Sequence, residues 1–451
     1  MATDYRHASD LLRAVMADRT REEIERSLSP KPPAADGAPA APRVPGGTGV
    51  TSEAIDRRWQ LLRHARPESR EALADERCVA EAERYRANIE NFIGTVKVPV
   101  GLAGPLRVNG LFAQGDYYVP LATTEAALVA SYSRGARVMT EAGGCTAILL
   151  NEGISRTPGF AFRDLRDVAR FLEWALSNVD EFRRRANETT RHGQLVDVRI
   201  TVEGNHVYLH FEFTTGDASG QNMVTIAAQA VCDYIHAQSP VKPLHHFVEA
   251  NMSGDKKLSM QSFLTVRGKK VTAEAVVPAE LIAKRLHTTA RCMADYWAMA
   301  AMGGVLSGQI GIQGHYANGL AALYLACGQD VACVAESAVG ATRFEVRDDG
   351  ALYAAVTLPN LVVGTVGGGT KLPSQQACLD VMGLSGPDHA RALAEVCAGM
   401  ALAGELSIIG ALCAGDFSQA HERLARGRAA ARQRGSNGEV PQPVVDPDNA
   451  V

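Results

Sequence analysis

The chain has no excess of either charge: 46 Lys and Arg stand against 50 Asp and Glu, a net charge of −4 over 451 residues. That leaves no electrostatic footprint for nonspecific nucleic-acid binding, so any phosphate must be held by local basic residues. No CxxC pair occurs among nine cysteines, which are scattered as singletons. An odd, dispersed set fits reduced thiols in a cytoplasmic protein better than a disulfide framework. The N-terminus mixes charges of both signs and lacks the pattern of a signal peptide. No run of about 18 apolar residues stands out, so no membrane span is expected. There is no GxGxxG, no HExxH and no paired Cys/His spacing, so neither the usual dinucleotide fingerprint nor a metal site is expected. Residues 292–342 hold no Lys or Arg, which predicts deeply buried helices, and their Gly and Ala content predicts close packing. No solenoid repeat is visible.

What is present is ample apolar material: 46% of residues are hydrophobic, enough for a large core in two or three domains. Residues 8–28 read as an amphipathic helix, and residues 30–49, rich in Pro, Ala and Gly, as a flexible linker. Residues 52–90 are charged and helical. Residues 90–110 show short apolar runs broken by Gly and Pro, which suits strands and turns. Residues 121–141 read as a helix of small residues, and 194–213 alternate as a hairpin with Glu-Gly-Asn at its turn. GLAALYLACGQD reads as a buried helix, and LPNLVVGTVGGGTKLPSQQACLDVMGL as strand, glycine loop and helix. The polar stretch after about 428 reads as a loose tail.

Six motifs can carry chemistry, most with a plainer alternative. GDASGQNM, residues 216–223, places small and polar residues before a helix, where backbone amides and the helix N-terminus favour an anion; a simple capping turn fits as well. GTVGGGTK, residues 364–371, lacks the Gly-Lys-Ser/Thr order of a P-loop; its glycines demand close backbone approach or unusual dihedrals. Lys256 and Lys257 in DKK are a surface cluster, or a lysine that stabilises an oxyanion beside a carboxylate. Asp330 ends an apolar run and would need a cation such as Lys256. Glu125 is a desolvated general acid, or a helix N-terminal Glu satisfied by backbone amides. His421, near Arg423 and Arg426, is a surface histidine or a mobile proton donor.

The order and wording of these segments add what no single one supplies. ENFIG with PVGLAGPL, PLATTEAALVAS, DKK, ACGQD, GTVGGGT with PSQQACL, and AGELSIIGAL with SQAH together resemble the 3-hydroxy-3-methylglutaryl-CoA (HMG-CoA) reductase family over residues 85–427. The DKK wording is similar to its eukaryotic and archaeal class. The resemblance implies an α+β fold in several parts. A helical N-terminal region, 1–85, carries a disordered linker at about 30–50. A large α/β domain around a central helix takes 86–157 and 249–427. A small ferredoxin-like NADPH domain, 158–248, is inserted in it, and a flexible tail follows from 428 to 451. It also implies a homodimer or homotetramer with the active site between subunits, and no nucleic-acid or membrane partner.

The implied reaction takes HMG-CoA to mevalonate and CoA, a step of isoprenoid biosynthesis, with two hydrides from NADPH. By the resemblance, Lys256 stabilises the oxyanion, Glu125 supplies a proton to the carbonyl oxygen, Asp330 links the two, and His421 protonates the departing thiolate. Arg134, Arg191, Asp217, Ser219, Gln221, Asn222 and Met223 match cofactor positions, as do Val366, Gly367, Gly368 and Thr370 of the second glycine loop. Arg156 and Lys257 match positions that hold the acyl carboxylate, and His315 and Asn318 the nearby pocket. Three departures stand out. Ser219 and Gln221 replace two methionines, Glu249 replaces a serine before DKK, and Ala298 replaces a lysine. They leave open a related acyl-CoA as substrate, or an inactive CoA-binding relative; the intact Glu125, Lys256, Asp330 and His421 weigh against inactivity.

Overall fold

A computed structural model of the chain describes residues 4–17, 19–30, 42–265 and 267–415. It forms two compact units, Met1–Val96 and Lys97–Val451. Among its described residues the first holds five α-helices: α1 (Tyr5–Ala17), α2 (Arg21–Leu28), α3 (Ser52–Trp59), α4 (Pro67–Leu73) and α5 (Glu76–Ala80). Thr20 and Glu23 close a reciprocal capping box at the start of α2. A small core forms around Ile55, Cys78, Ala82 and Phe92. The C-terminal part of the expected linker is not loose. The buried Arg58 donates to the carbonyls of Pro45 (3.1 Å), Gly49 (2.8 Å) and Phe92 (2.9 Å), because a buried guanidinium must find acceptors. Residues 31–41 of that linker lie outside the described residues.

The second unit begins with the hairpin β1 (Val100–Gly110) and β2 (Gln114–Ala122). Then follow α6 (Leu128–Glu141), β3 (Cys145–Arg156), β4 (Gly159–Ala161), α7 (Leu165–Ser177), α8 (Val179–Asn187), β5 (Leu195–Glu203), β6 (His206–Phe213), α9 (Gln221–Gln238) and β7 (His245–Phe247). The chain continues through α10 (Gln261–Leu264), β8 (Gly268–Val277), α11 (Ala279–Leu286), α12 (Ala290–Ser307), α13 (Tyr316–Cys327) and α14 (Val334–Ser337). It closes with β9 (Ala341–Val346), β10 (Leu352–Leu361), α15 (Pro373–Val381) and α16 (Ala390–Cys413). The strands join in one sheet of order β7-β4-β6-β3-β8-β10-β9, with β5 added on β6 and the β1–β2 hairpin added on β3. Among the named strands every pairing is antiparallel except β1 with β3.

Two cores form on this sheet. In the first, β8 alternates strictly, burying Val271, Ala273, Ala275 and Val277 on one face. That face packs on α16, which also touches β1, β3, β10, α6, α12 and α13. No unbroken apolar run of membrane length occurs, since Arg391, Glu395 and Glu405 interrupt α16. By length and composition α16 could cross a membrane, but 83% of that window is buried inside the protein, as a central core helix is. Small residues let its neighbours in: a Cβ on Gly404 would lie 2.6 Å from the Tyr132 ring of α6. Its Glu395 is fully buried and accepts backbone N–H bonds from Leu111 (3.1 Å), Phe112 (2.8 Å) and Ala113 (2.8 Å) at the β1–β2 turn. The second core gathers Phe160, Phe162, Phe171, Phe182, Phe211 and Phe213 between α7–α9 and the β4–β7 strands, in the order β7-β4-β6-β5.

The β5–β6 hairpin forms as its alternation predicts, turning at Gly204-Asn205 with φ of +54° at the glycine. α13 is buried as expected. The second half of α12 is not. Met299 is 77% exposed and Leu306 81% exposed, so the charge-free run from 292 marks an apolar surface as well as a core. α6 starts later than the composition suggests, because β2 runs to Ala122 and Ala127 turns the chain at φ +72°.

Candidate active site

Lys256 lies in an irregular segment between β7 and α10, with a positive φ of +56° that costs a non-glycine residue energy. What holds it there is buried charge. Its N–H donates to Glu336 Oε1 (3.1 Å), and Glu336 Oε2 accepts from Arg267 Nε (2.8 Å). Glu336 and Arg267 are both fully buried. Arg267 also donates to the Ser155 carbonyl (2.7 Å) and to Asp255, which in turn accepts from Arg156 (2.8 Å). Burial pushes the Glu336 carboxyl above its usual range, and the Arg267 guanidinium opposes that shift.

Thus placed, Lys256 Nζ meets Asp330 Oδ2 at 2.7 Å, forming the pair that the sequence made sensible. The hydrogen bond it donates to Asp330 raises the lysine above its ordinary range, so it carries its charge at neutral pH. About 40% of each side chain remains exposed, which leaves the ammonium open to a ligand.

The pair opens on a cavity of ≈ 500 Å³ lined by Ser219, Gln221, Asn222 and Met223 on one side and Val366, Gly367, Gly368 and Thr370 on the other. Two glycine-bearing loops meet here: a Cβ on Gly328 (φ +67°) would lie 2.3 Å from the Gly369 carbonyl oxygen. Gln329, in the same ACGQD motif, fixes the second loop by bonding both the N–H (2.8 Å) and the carbonyl (2.9 Å) of Gly364. α9 begins at Gln221 after Gly220, with no side-chain cap on its first N–H groups. A Cβ on Gly367 or Gly368 would meet nothing within 4 Å, so the backbone there is open to a ligand.

Glu125 lies elsewhere. It is exposed rather than desolvated, since the TTEA segment is a turn before α6, and its N–H donates to Thr123 Oγ1 (3.0 Å). It lines a different cavity of ≈ 490 Å³ with Ser131, Arg134, Tyr296, His315 and Asn318. Arg134 is anchored to Ser407 of α16 through its hydroxyl (3.0 Å) and carbonyl (2.7 Å). The buried Glu405 of α16 accepts the N–H groups of Gly314 (2.7 Å) and His315 (2.9 Å), and His315 Nε2 pairs with the Gly404 carbonyl at 3.0 Å. The two cavities share no lining residue.

The remaining sequence candidates fall around these cavities. Asp217 lines neither; its carboxylate accepts N–H bonds from Asp388 (2.9 Å) and Ala390 (3.2 Å) at the start of α16. Arg191 is exposed at a bend before β5. Lys257 donates to the Asp255 carbonyl (2.8 Å). Arg156 is nearly buried and bonds Glu249 (3.1 Å) as well as Asp255, so the departure at 249 faces the arginine. Ala298 is exposed on α12. His421 lies outside the described residues. Sequence reading missed Arg267, Glu336, Gln329 and Glu405. Glu336, Gln329 and Glu405 left a signal, as polar residues in otherwise apolar runs without a basic partner nearby, and Arg267 left none.

A charged lysine held by a carboxylate thus stands at the edge of a cavity lined by two glycine-bearing loops. Residues 54–426 match the family profile of hydroxymethylglutaryl-coenzyme A reductase. The chain is 43% identical over 347 residues to the 3-hydroxy-3-methylglutaryl-coenzyme A reductase of Pyrococcus horikoshii, covering 75% of this chain and 84% of that one. It is 39% identical over 353 residues to the reductase of Methanocaldococcus jannaschii, covering 77% and 87%. In fold it is similar to the class II reductase of Streptococcus pneumoniae solved bound to NADPH, with a TM-score of 0.59 at 20% identity, covering 79% of this chain and 86% of that one. The chain belongs to the HMG-CoA reductase family and is an oxidoreductase.

Proposed function

We propose that the chain reduces HMG-CoA to mevalonate and CoA by two successive hydride transfers, in a site completed by a second copy of itself. The observation that carries this is the Lys256–Asp330 pair at the edge of the cradle formed by the loops at 218–223 and 364–370. The residues present fit NADPH: the uncapped start of α9 and the open backbone at Gly367 and Gly368 suit its phosphates, and Ser219, Gln221, Asn222, Met223, Val366 and Thr370 line the rest. When bound there, it supplies the hydrides. Arg191, exposed beside β5, is the candidate partner for the ribose phosphate.

Lys256 holds the negative oxygen that forms as the thioester carbonyl is reduced, and again at the aldehyde stage. Asp330 keeps it charged. Glu125 donates a proton to the carbonyl oxygen, and His421 protonates the departing thiolate. For both Glu125 and Lys256 to reach one carbonyl they must stand within hydrogen-bond distance of it. Within one chain they line separate cavities. His315 and Asn318, which share the Glu125 cavity, lie at the start of α13, and Asp330 lies beyond its end. That helix has 12 residues, a length of about 18 Å. A two-fold partner would bring the Glu125 cavity of one copy to the Lys256 cavity of the other. The exposed Met299, Met302, Val305 and Leu306 of α12 are a surface such a partner would cover.

The cofactor-side strands support the inserted ferredoxin-like domain. β4, α7–α8, β5, β6, α9 and β7 run β-α-β-β-α-β with strand order β7-β4-β6-β5, around the phenylalanine-rich second core.

One observation favours a second reading, a different acyl-CoA as substrate. Arg156 is shared between Glu249 and Asp255 instead of standing free for an acyl carboxylate, and Ala298 adds no cation. Turnover on HMG-CoA against other 3-substituted acyl-CoAs separates the two. Glu249→Ser, which releases Arg156, should raise kcat/KM on HMG-CoA about tenfold, the worth of one charge-assisted hydrogen bond. An unchanged ratio among thioesters in that variant would show that Glu249 does not set acyl choice.

A further inference from the structure

Gln221 stands where the resembled cofactor loop has a methionine, and in this chain it has a partner. Its side-chain Nε2 donates to Cys333 Sγ at 3.0 Å. Among the described residues this is the one side-chain hydrogen bond that joins the loop at 216–223 to the turn at 330–333. A methionine at 221 would have no N–H to offer.

Local structure sets both residues. Gln221 opens α9 after Gly220, whose φ is +80° and where a Cβ would lie 2.4 Å from Thr215 Cγ2. Cys333 ends a short 3-10 turn, Val331–Cys333, that Asp330 caps. Asp330 Oδ1 accepts the Ala332 N–H at 3.1 Å, and the Asp330 carbonyl accepts the Cys333 N–H at 2.9 Å. The other carboxylate oxygen, Oδ2, accepts from Lys256. One aspartate therefore holds the lysine on one oxygen and the turn of Cys333 on the other. Gln221, Lys256 and Asp330 line the cavity between the glycine loops, whereas Cys333 is fully buried behind it. Burial, with the Glu336 and Asp330 carboxylates nearby, pushes the Cys333 thiol up to about 12, so its sulfur is a neutral acceptor at physiological pH.

We propose that Gln221 and Cys333 form a latch that positions the Asp330–Lys256 pair against the cofactor loop, with Cys333 a positioning residue that touches neither substrate nor cofactor. Its effect on turnover rests on the function proposed above; the latch itself does not. Hydride transfer needs the donor and the developing oxyanion held at one separation, and a small misplacement is costly. The loop of Gln221 forms the donor's side of the cavity, and Lys256 on Asp330 forms the oxyanion's side. The amide-to-thiol bond ties one side to the other.

The test compares two substitutions in the full chain. Cys333→Ser keeps an acceptor for the Gln221 amide, and Cys333→Val keeps the apolar volume without one. The first readout is amide hydrogen exchange in the ligand-free protein, followed by mass spectrometry. Exchange at 216–225 should be faster in Cys333→Val than in Cys333→Ser. The second readout is steady-state kinetics. With HMG-CoA and NADPH, kcat should fall about fivefold in Cys333→Val, the loss of one net hydrogen bond, and by less than half as much in Cys333→Ser, with KM for HMG-CoA within about twofold of the unaltered chain. In a Gln221→Met background the two substitutions should become equivalent, because the donor is gone. Exchange as slow in Cys333→Val as in Cys333→Ser, or a Ser–Val difference that persists in Gln221→Met, would overturn the latch, since packing alone then holds the turn. Faster exchange in Cys333→Val with kcat equal to that of Cys333→Ser would overturn the positioning role. Absent NADPH oxidation in the unaltered chain would count against the proposed function, while the exchange order would still decide the latch.

Discussion

Lys256→Ala lowers kcat by about 10²–10³-fold, the cost of removing one preorganised donor from an oxyanion, while cofactor affinity stays close to that of the unaltered protein. The split follows from the geometry. The cradle is built by the loops at 218–223 and 364–370, and Gln329 fixes the second of them without help from Lys256. Steady-state kinetics with a fluorescence titration of NADPH checks both halves. A second arm addresses the shared site. Glu125→Gln and Lys256→Ala are each inactive alone, but mixing the two under conditions that exchange subunits should restore up to about a quarter of full activity. Half of the dimers are then mixed, and each of those carries one intact site. No recovery from chains shown to exchange would contradict the two-chain site.

Arg267→Met destabilises the Lys97–Val451 unit by about 3–5 kcal/mol, because it strands Glu336 as a buried carboxylate without its cation. The expected loss is large because Arg267 is fully buried and binds Glu336, Asp255 and the Ser155 carbonyl at once. Its pH dependence has a definite sign. Burial raises the Glu336 pKa above its unfolded value. Such a carboxyl contributes stability that is fully present below its unfolded pKa and lost as pH rises through the folded one. With Arg267 gone the shift is unopposed, so the deficit should shrink as pH falls toward the ordinary carboxylate range. Urea unfolding at neutral and mildly acidic pH measures this; a deficit below about 1 kcal/mol would mean the pair is not the anchor described. The double variant Arg267→Met, Glu336→Leu should recover part of the stability, since it removes both charges. It should not recover activity, because Lys256 loses the acceptor for its N–H.

Much of this was legible before the fold. The β5–β6 hairpin, α13 and the glycine loop carry local signals, namely strict alternation, an apolar run and consecutive glycines, and each formed where the sequence places it. The Lys256–Asp330 pair was legible because a carboxylate closing an apolar run needs a cation. What stayed hidden depends on long-range contact. Arg267 bonds a carboxylate 69 residues away, and Glu405 caps a turn about 90 residues upstream. No local pattern reports such distances. The exposed half of α12 misled for a related reason: an exposed apolar surface and a core draw on the same residues, and composition cannot tell them apart. Asp217 shows the same limit, since a capping carboxylate and a ligand-binding one look alike until the start of α16 is seen beside it.

The most direct test of the central claim is to follow NADPH oxidation with HMG-CoA and count the NADPH consumed per CoA thiol released. The account predicts about two per thiol, with mevalonate as the product, because the thioester must pass through an aldehyde to reach the alcohol. One per thiol with aldehyde accumulating, or thiol release without NADPH oxidation, would contradict it.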